Sequence, residues 1–283
     1  MPRPVALVTD STAYIPQELT AQYDIRVAPQ ILVWGDETLR DGIDITPEAF
    51  YQRLQTAKVL PTSTQPSVVS FEEIFRERLE AGYDILTVVI SSELSGTYRA
   101  ALQAKAAFPD ANIEVVDSRT TAMELGFQVL AAARAAAEGA SLAECKAIAE
   151  QAQAHTGVIL AVATLEFLHR GGRIGGASRW FGTAFRIKPL LEVRNGRVEP
   201  LEKVRTHRKA LKRMVEIVAE RTQGQTPIRL AALHTNAEPL AQEVLAQAVA
   251  QLHPVEALVS DVSPVVGTHV GPGTVALAYM AGM

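Results

Sequence analysis

The first half of the chain alternates short apolar runs with amphipathic segments, and this alternation limits the fold more than any other feature. Residues 5–8, 25–27, 30–34, 85–90 and 113–116 read as strands. Helical segments begin at Pro16, at Thr46-Pro47 and at Phe71, and a further one runs to Ala107. Residues 125–138 form an alanine-rich helix closed by Gly139, and Ser141 with Glu144 makes a capping box for the next. Strands that alternate with helices build βαβ units around a mostly parallel sheet. Residues 61–67, held between prolines, read as a loop.

A second half starts near Thr156-Gly157. Residues 158–163, 229–234 and 255–261 read as strands, 207–221 as a basic amphipathic helix and 239–252 as another helix. Asn195-Gly196 between two apolar runs is a strong hairpin signal. A hairpin inside helix–strand alternation implies a mixed sheet. Residues 265–273 read as a glycine-rich loop and 274–281 as a closing helical segment. The expected fold class is therefore α/β with two α/β domains. Residues 1–156 would hold a mostly parallel sheet and 157–283 a mixed one, with a loosely set boundary.

Composition narrows the function. Of 283 residues only Cys145 is a cysteine, which excludes an internal disulfide framework and any multi-cysteine zinc or iron–sulfur site. A net charge of -4 argues against a general nucleic-acid binder. The N-terminal apolar run is too short for a signal core, and Arg134 interrupts the longest apolar stretch, 129–137. The expectation is a cytoplasmic protein without an integral membrane segment.

In parallel sheets, ligands sit beyond the carboxyl ends of the strands. Three such ends carry polar clusters, at residues 9–12, 91–97 and 117–121, and two of them are expected to converge. The segment Ser91-Ser92-Glu93-Leu94-Ser95-Gly96-Thr97 places hydroxyls and free N–H groups at a helix N-terminus, which suits a carboxylate or phosphate. It is not a Gly-x-Ser-x-Gly elbow. Pro61-Thr62-Ser63-Thr64-Gln65-Pro66-Ser67 is stiff and rich in donors. Gly171-Gly172-Arg173-Ile174-Gly175-Gly176 matches neither a P-loop nor a dinucleotide fingerprint. Its glycines permit close backbone approach, and Arg173 offers a bidentate donor. The basic run Lys203 to Arg213 reads as a solvated helix face or as a docking patch for an acidic partner. His269, set among glycines, stands out from His169, His207, His234 and His253, and no cluster has metal-ligand spacing.

Together these segments resemble the DegV family of bacterial fatty-acid-binding proteins. The resemblance is carried by Val8-Thr9-Asp10-Ser11-Thr12, the two hydroxyl-rich segments, Asp117-Ser118, Phe167-Leu168-His169-Arg170-Gly171-Gly172-Arg173-Ile174, Lys188-Pro189-Leu190-Leu191, Lys203-Val204-Arg205-Thr206 and His269-Val270-Gly271-Pro272-Gly273. They occur in the family's order as a single unit over about residues 3–281. The resemblance implies one long-chain fatty acid, such as palmitate, buried with its carboxylate at the hydroxyl loops. By motif position Ser63, Ser95 and His269 hold that carboxylate, with Thr62, Thr64 and Gly96 beside them. The contacting hydroxyl of the first loop is Ser63 or Thr64. Arg173 and Arg205 are carried over as contacts near the head group or a partner. The resemblance also implies no catalytic group, no cofactor, and delivery of the acid to a separate ATP-dependent fatty-acid kinase, which makes an acyl phosphate for phospholipid synthesis. The alternatives are an acyl or phosphoryl transferase using Ser95 or Ser63 with His269, and a regulatory protein whose lipid is structural.

Overall fold

The structure, a computed structural model, describes residues 3–182 and 187–283. The first half contains β1 (Val5–Asp10), α1 (Gln17–Gln22), β2 (Arg26–Ala28), β3 (Ile31–Trp34), β4 (Glu37–Arg40), α2 (Pro47–Thr56) and β5 (Thr62–Thr64). It continues with α3 (Val68–Glu80), β6 (Asp84–Val89), α4 (Thr97–Lys105), β7 (Ile113–Asp117), α5 (Ala122–Ala137) and α6 (Leu142–Ala152). The second half contains β8 (Thr156–Ala161), α7 (Glu166–Arg170), β9 (Lys188–Arg194), β10 (Arg197–Val204) and α8 (His207–Thr222). It ends with β11 (Ile228–His234), α9 (Glu238–Leu252), β12 (Glu256–Asp261), α10 (Pro264–Val270) and β13 (Val275–Ala281).

The first sheet has the order β2-β1-β6-β7, all parallel. The second has the order β10-β9-β8-β13-β11-β12 and is mixed, since only β11 and β12 pair in parallel. Both agree with the expected fold class. A third, antiparallel sheet, β4-β3-β5, was not expected. It converts the supposed loop at residues 61–67 into a short strand in which Ser63 faces Leu32 across the ladder. Two β-branched threonines flank Ser63, and such residues favour a pleated strand.

Two further expectations are corrected. Residues 264–270 form α10 rather than a glycine-rich loop: Ser263 accepts the Val266 N–H, and Pro264 occupies the first turn. Residues 275–281 form β13 rather than a helix. All seven are buried, because β13 lies between β8 and β11. A strand buried on both faces loses the polar alternation that betrays strands, and Ala, Leu and Met mimic a helix.

Helix α5 lies between the two sheets. Met123, Leu125, Phe127, Val129, Leu130 and Ala132 share one core cluster with Leu7 and Val88 of the first sheet and Leu160, Leu233 and Ala278 of the second. Helices α3 and α4 cover the outer face of the first sheet, and α8 and α9 that of the second. We keep residues 1–156 and 157–283 as proposed units, divided one residue inside β8. Of these, 1–2 and 183–186 lie outside the described residues. No helix among the described residues is long and apolar enough to cross a membrane.

One carboxyl is buried on α5. Burial pushes Glu124 up to about 8, although Thr120 Oγ1 donates to its Oε2 at 2.6 Å. Its folded value lies above its unfolded one, so its contribution is complete at low pH. That contribution declines as pH rises from the ordinary carboxylate range and is gone above about 8. Glu124→Gln should therefore melt near wild type at pH 5 and above it at pH 9. Parallel melting curves across that range would show that Glu124 ionises as freely as an exposed carboxyl.

Candidate functional site

The carboxyl ends of β1 and β6 and the turn after β7 bring the three polar clusters together. Thr12, Ser95 and Thr121, one from each, line a single cavity of about 120 Å³. The expectation was that two would converge, and all three do. The small third sheet adds Ser63 and Thr64, the turn after α7 adds Arg173, and α10 adds His269. Gln30 and Gln65 also line it, and the remaining wall is apolar, built by Ile90, Leu94, Leu168 and four valines. Ser63, His269 and Arg173 sit together as a polar end of this lining, and apolar side chains make up much of the rest.

Side chains alternate along a strand, so Ser63 points opposite to Thr62 and Thr64. Ser63 Oγ shares a 2.7 Å hydrogen bond with His269 Nε2. Thr62 lines an adjoining cavity of about 290 Å³ that also touches Ser63, Arg173 and His269. Gly96 faces an outer groove instead, with its backbone packed on Gln65, where a Cβ would come within 3.1 Å. Arg205 is exposed at the end of β10 and lines neither cavity.

His269 is held without a charged partner. Burial, and then the Arg173 charge, push its imidazole down to about 4, so it is neutral at pH 7. Its Nδ1 is buried and makes no hydrogen bond among the described residues. The reason lies in the glycine motif: a Cβ on Gly171 would sit 2.0 Å from Nδ1. Gly171 therefore makes the space the ring occupies. Arg173 is fixed by the same turn. Its Nε donates to Leu94 O at 3.0 Å and its Nη1 to Gly171 O at 2.8 Å. It ties the glycine motif to the serine loop and leaves a cation at the polar end.

The serine loop is braced from the second sheet as well. Ser91 Oγ donates to Gly196 O in the β9–β10 turn, and Glu93 pairs with Arg197. Ser95 Oγ lies 2.8 Å from Thr97 Oγ1. Thr97 is fully buried and accepts from Gln30 Nε2. Gln30 lines the cavity but went unnoticed in the sequence, where it reads only as the start of an apolar strand. Behind it, Asp10 is fully buried, and burial raises its carboxyl against the hydrogen bonds from Thr12, Ile90 and Gln30 that lower it. Burial likewise raises Asp41 to about 7, and Ser11 Oγ donates to its Oδ2 at 2.7 Å. No group of three or more His, Cys, Asp or Glu among the described residues is arranged for a metal ion.

The basic run is less available than its composition implies. Arg213 is taken up by Glu202, Glu216 and Glu220. Lys203 lies over the Trp180 ring, 5.1 Å from its centre. Arg205, Arg208 and Lys209 are exposed.

The cavity wall offers hydroxyl donors and a cation, and its histidine is poorly set up as a base. A hydroxyl-activating histidine needs a pKa near the working pH and an acidic group at its far nitrogen. His269 has neither. Gly171→Ala should displace the ring and break the Ser63–His269 hydrogen bond. Imidazole ¹⁵N shifts would report this, and in the wild type they should show a neutral ring down to about pH 4. An unchanged spectrum in Gly171→Ala would mean that the ring has room to spare.

Comparison with known proteins gives a consistent result. A family model described as "Uncharacterised protein, DegV family" matches residues 4–282. The chain is 41% identical over 280 residues to a DegV domain-containing protein of Streptomyces coelicolor, covering 96% of this chain and 97% of that one. It is 32% identical over 278 residues to protein DegV of Bacillus subtilis, covering 97% and 98%. Among solved structures it is similar to a fatty-acid-binding DegV family protein from Thermus thermophilus. The TM-score is 0.93 at 34% identity, over 98% of this chain and 99% of that one. It is also similar to DegV of Bacillus subtilis, a fatty acid binding protein, with a TM-score of 0.90 at 32% identity over 99% of both chains.

Proposed function

Because the chain belongs to the DegV family, we propose that it binds one long-chain fatty acid, with the carboxylate at the polar end of the cavity. The observation that carries this reading is the meeting of Ser63, Ser95, His269 and Arg173 in one cavity whose wall also carries a set of apolar side chains. A carboxylate taken out of water needs several donors or a cation. The two serines and Arg173 supply them. Thr62, Thr64 and Gly96 shape the surrounding backbone, and Ser63 is the contacting hydroxyl of its loop because it is the one turned toward His269.

Affinity comes from the tail. At about 0.8 kcal/mol per buried methylene, about fourteen methylenes offer roughly 11 kcal/mol before association costs. A cavity of about 120 Å³ compares with the roughly 150 Å³ that takes a benzene-sized molecule. It seats the head group and the first carbons. The tail continues by parting the apolar wall between α10 and Leu94 and Leu168.

The protein does not act on the acid itself. It presents the carboxylate to a separate ATP-dependent kinase, which forms the acyl phosphate. The exposed Arg205, with the exposed Arg208 and Lys209 close by in sequence, suits a docking role. The competing transferase reading lacks support at both serines. Ser63 faces a histidine of depressed basicity, and Ser95 bonds to Thr97 rather than to a base.

Denaturing the purified protein and analysing the extract by mass spectrometry should release about one long-chain fatty acid per chain. Empty protein that takes up no added acid would overturn the carrier reading. Ser95→Ala should fold normally and bind palmitate roughly tenfold more weakly, the scale of one lost hydrogen bond to a charged group. Arg205→Ala should bind palmitate as the wild type does and slow its kinase-dependent phosphorylation. Lost palmitate binding in that variant would make Arg205 a ligand contact.

A further inference from the structure

Behind Ser95 runs a chain of hydrogen bonds whose direction can be read from its buried end. Asp10 Oδ1 accepts the Thr12 N–H at 2.9 Å, and Oδ2 accepts the Ile90 N–H at 2.7 Å. The Gln30 side chain meets Oδ1 at 3.0 Å. An oxygen that is already accepting calls for a donor there, so the amide presents its NH₂ and not its carbonyl. The same Nε2 reaches Thr97 Oγ1 at 2.8 Å. An NH₂ can only give hydrogens, so Thr97 Oγ1 accepts.

Thr97 is fully buried, and a buried hydroxyl that accepts on one side gives its own hydrogen elsewhere. Its other partner among the described residues is Ser95 Oγ at 2.8 Å. Ser95 Oγ therefore accepts from the Thr97 hydroxyl, and at 3.4 Å from the Thr97 N–H as well. Both contacts are on the protein side. The single hydrogen of Ser95 remains, and the open space beside it is the cavity. The backbone of Gln30 is fixed in turn, since its N–H donates to Ser11 Oγ at 3.0 Å and Ser11 donates to Asp41.

We infer that Asp10, Gln30 and Thr97 are positioning residues that lock Ser95 as a hydrogen-bond donor to the ligand. They thereby select a carboxylate over a fatty alcohol or fatty amine of the same length. The inference rests on the fatty-acid reading above. An ionised carboxylate only accepts, and hydrogen bonds to it are about twice as strong as those to a neutral oxygen. A fatty alcohol offers a neutral oxygen, and a fatty ammonium has no lone pair to meet the Ser95 hydrogen or the Arg173 cation.

The test uses the full chain and palmitate labelled with ¹³C at the carboxyl, with hexadecanol as the neutral comparison. Thr97→Ser should bind like the wild type. Thr97→Val and Gln30→Met should each bind palmitate roughly tenfold more weakly. Their bound carboxyl should titrate at higher pH, and their preference for palmitate over hexadecanol should shrink. In a Ser95→Ala background Thr97→Val should cost nothing further, an outcome that a purely structural threonine would not give. Circular dichroism and thermal melting check folding, and if Thr97→Val fails to fold, Gln30→Met and its Ser95→Ala double variant decide. Folded variants with wild-type preference, carboxyl titration and affinity would overturn the relay while leaving fatty-acid binding intact. A wild-type protein that takes up no palmitate would overturn both.

Discussion

Helix α5 has to satisfy two sheets at once, and the rest of the molecule is arranged around that demand. A helix buried along most of its length must be largely apolar, with its few polar side chains hydrogen-bonded, as Glu124 is to Thr120, and one that lies between sheets must also be slender. The alanines of α5 keep it narrow, while Met123, Leu125, Phe127 and Leu130 fill the space on either side. The first sheet needs helices on both faces because it is parallel. Helix α5 serves as the inner cover of both sheets, so neither has a core of its own on that side. The cavity lies at the N-terminal end of this helix, where its capping residue Thr121 forms part of the wall.

At the polar end of the cavity the hydrogen-bonding groups are held by neighbours that carry no charge. Each candidate group is already engaged by a neutral neighbour: Ser63 by His269, Ser95 by Thr97, and Arg173 by two backbone carbonyls. The carboxyls lie one layer further back, at Asp10 and Asp41, where they organise hydrogen bonds and stay out of the cavity's first layer. A carboxylate directly beside Arg173 would neutralise it and compete with an incoming anion. The layering separates the charge that attracts from the charge that orders.

Much of the first sheet was legible because its strands are short and apolar and the helices between them are amphipathic. The second sheet was less so. The hairpin at Asn195-Gly196 announces itself, but β13 hides in a run of Ala, Leu and Met whose strand character comes from its neighbours β8 and β11. Helix α10 was obscured by Gly267 and by the glycines just beyond its end, although Ser263-Pro264 is a sound helix start. For the site, Ser63, Ser95 and His269 were found from the order of motifs rather than from their chemistry. Asp10, Gln30 and Thr97 are far apart in sequence, and nothing short of their meeting in space reveals that they belong together. The basic run shows the opposite error, since charge density in the sequence did not disclose that Arg213 is occupied by glutamates.

The contact between Gly171 and His269 makes two positions, separated by 98 residues, a single decision. One residue can carry an imidazole only while the other carries no side chain. The pair is therefore a compact marker of whether this corner of the cavity has room for an imidazole. A chain with a side chain at the first position would have to place the ring of the second elsewhere. Sorted by that pair, relatives that look alike in overall sequence would separate into groups with differently built pockets.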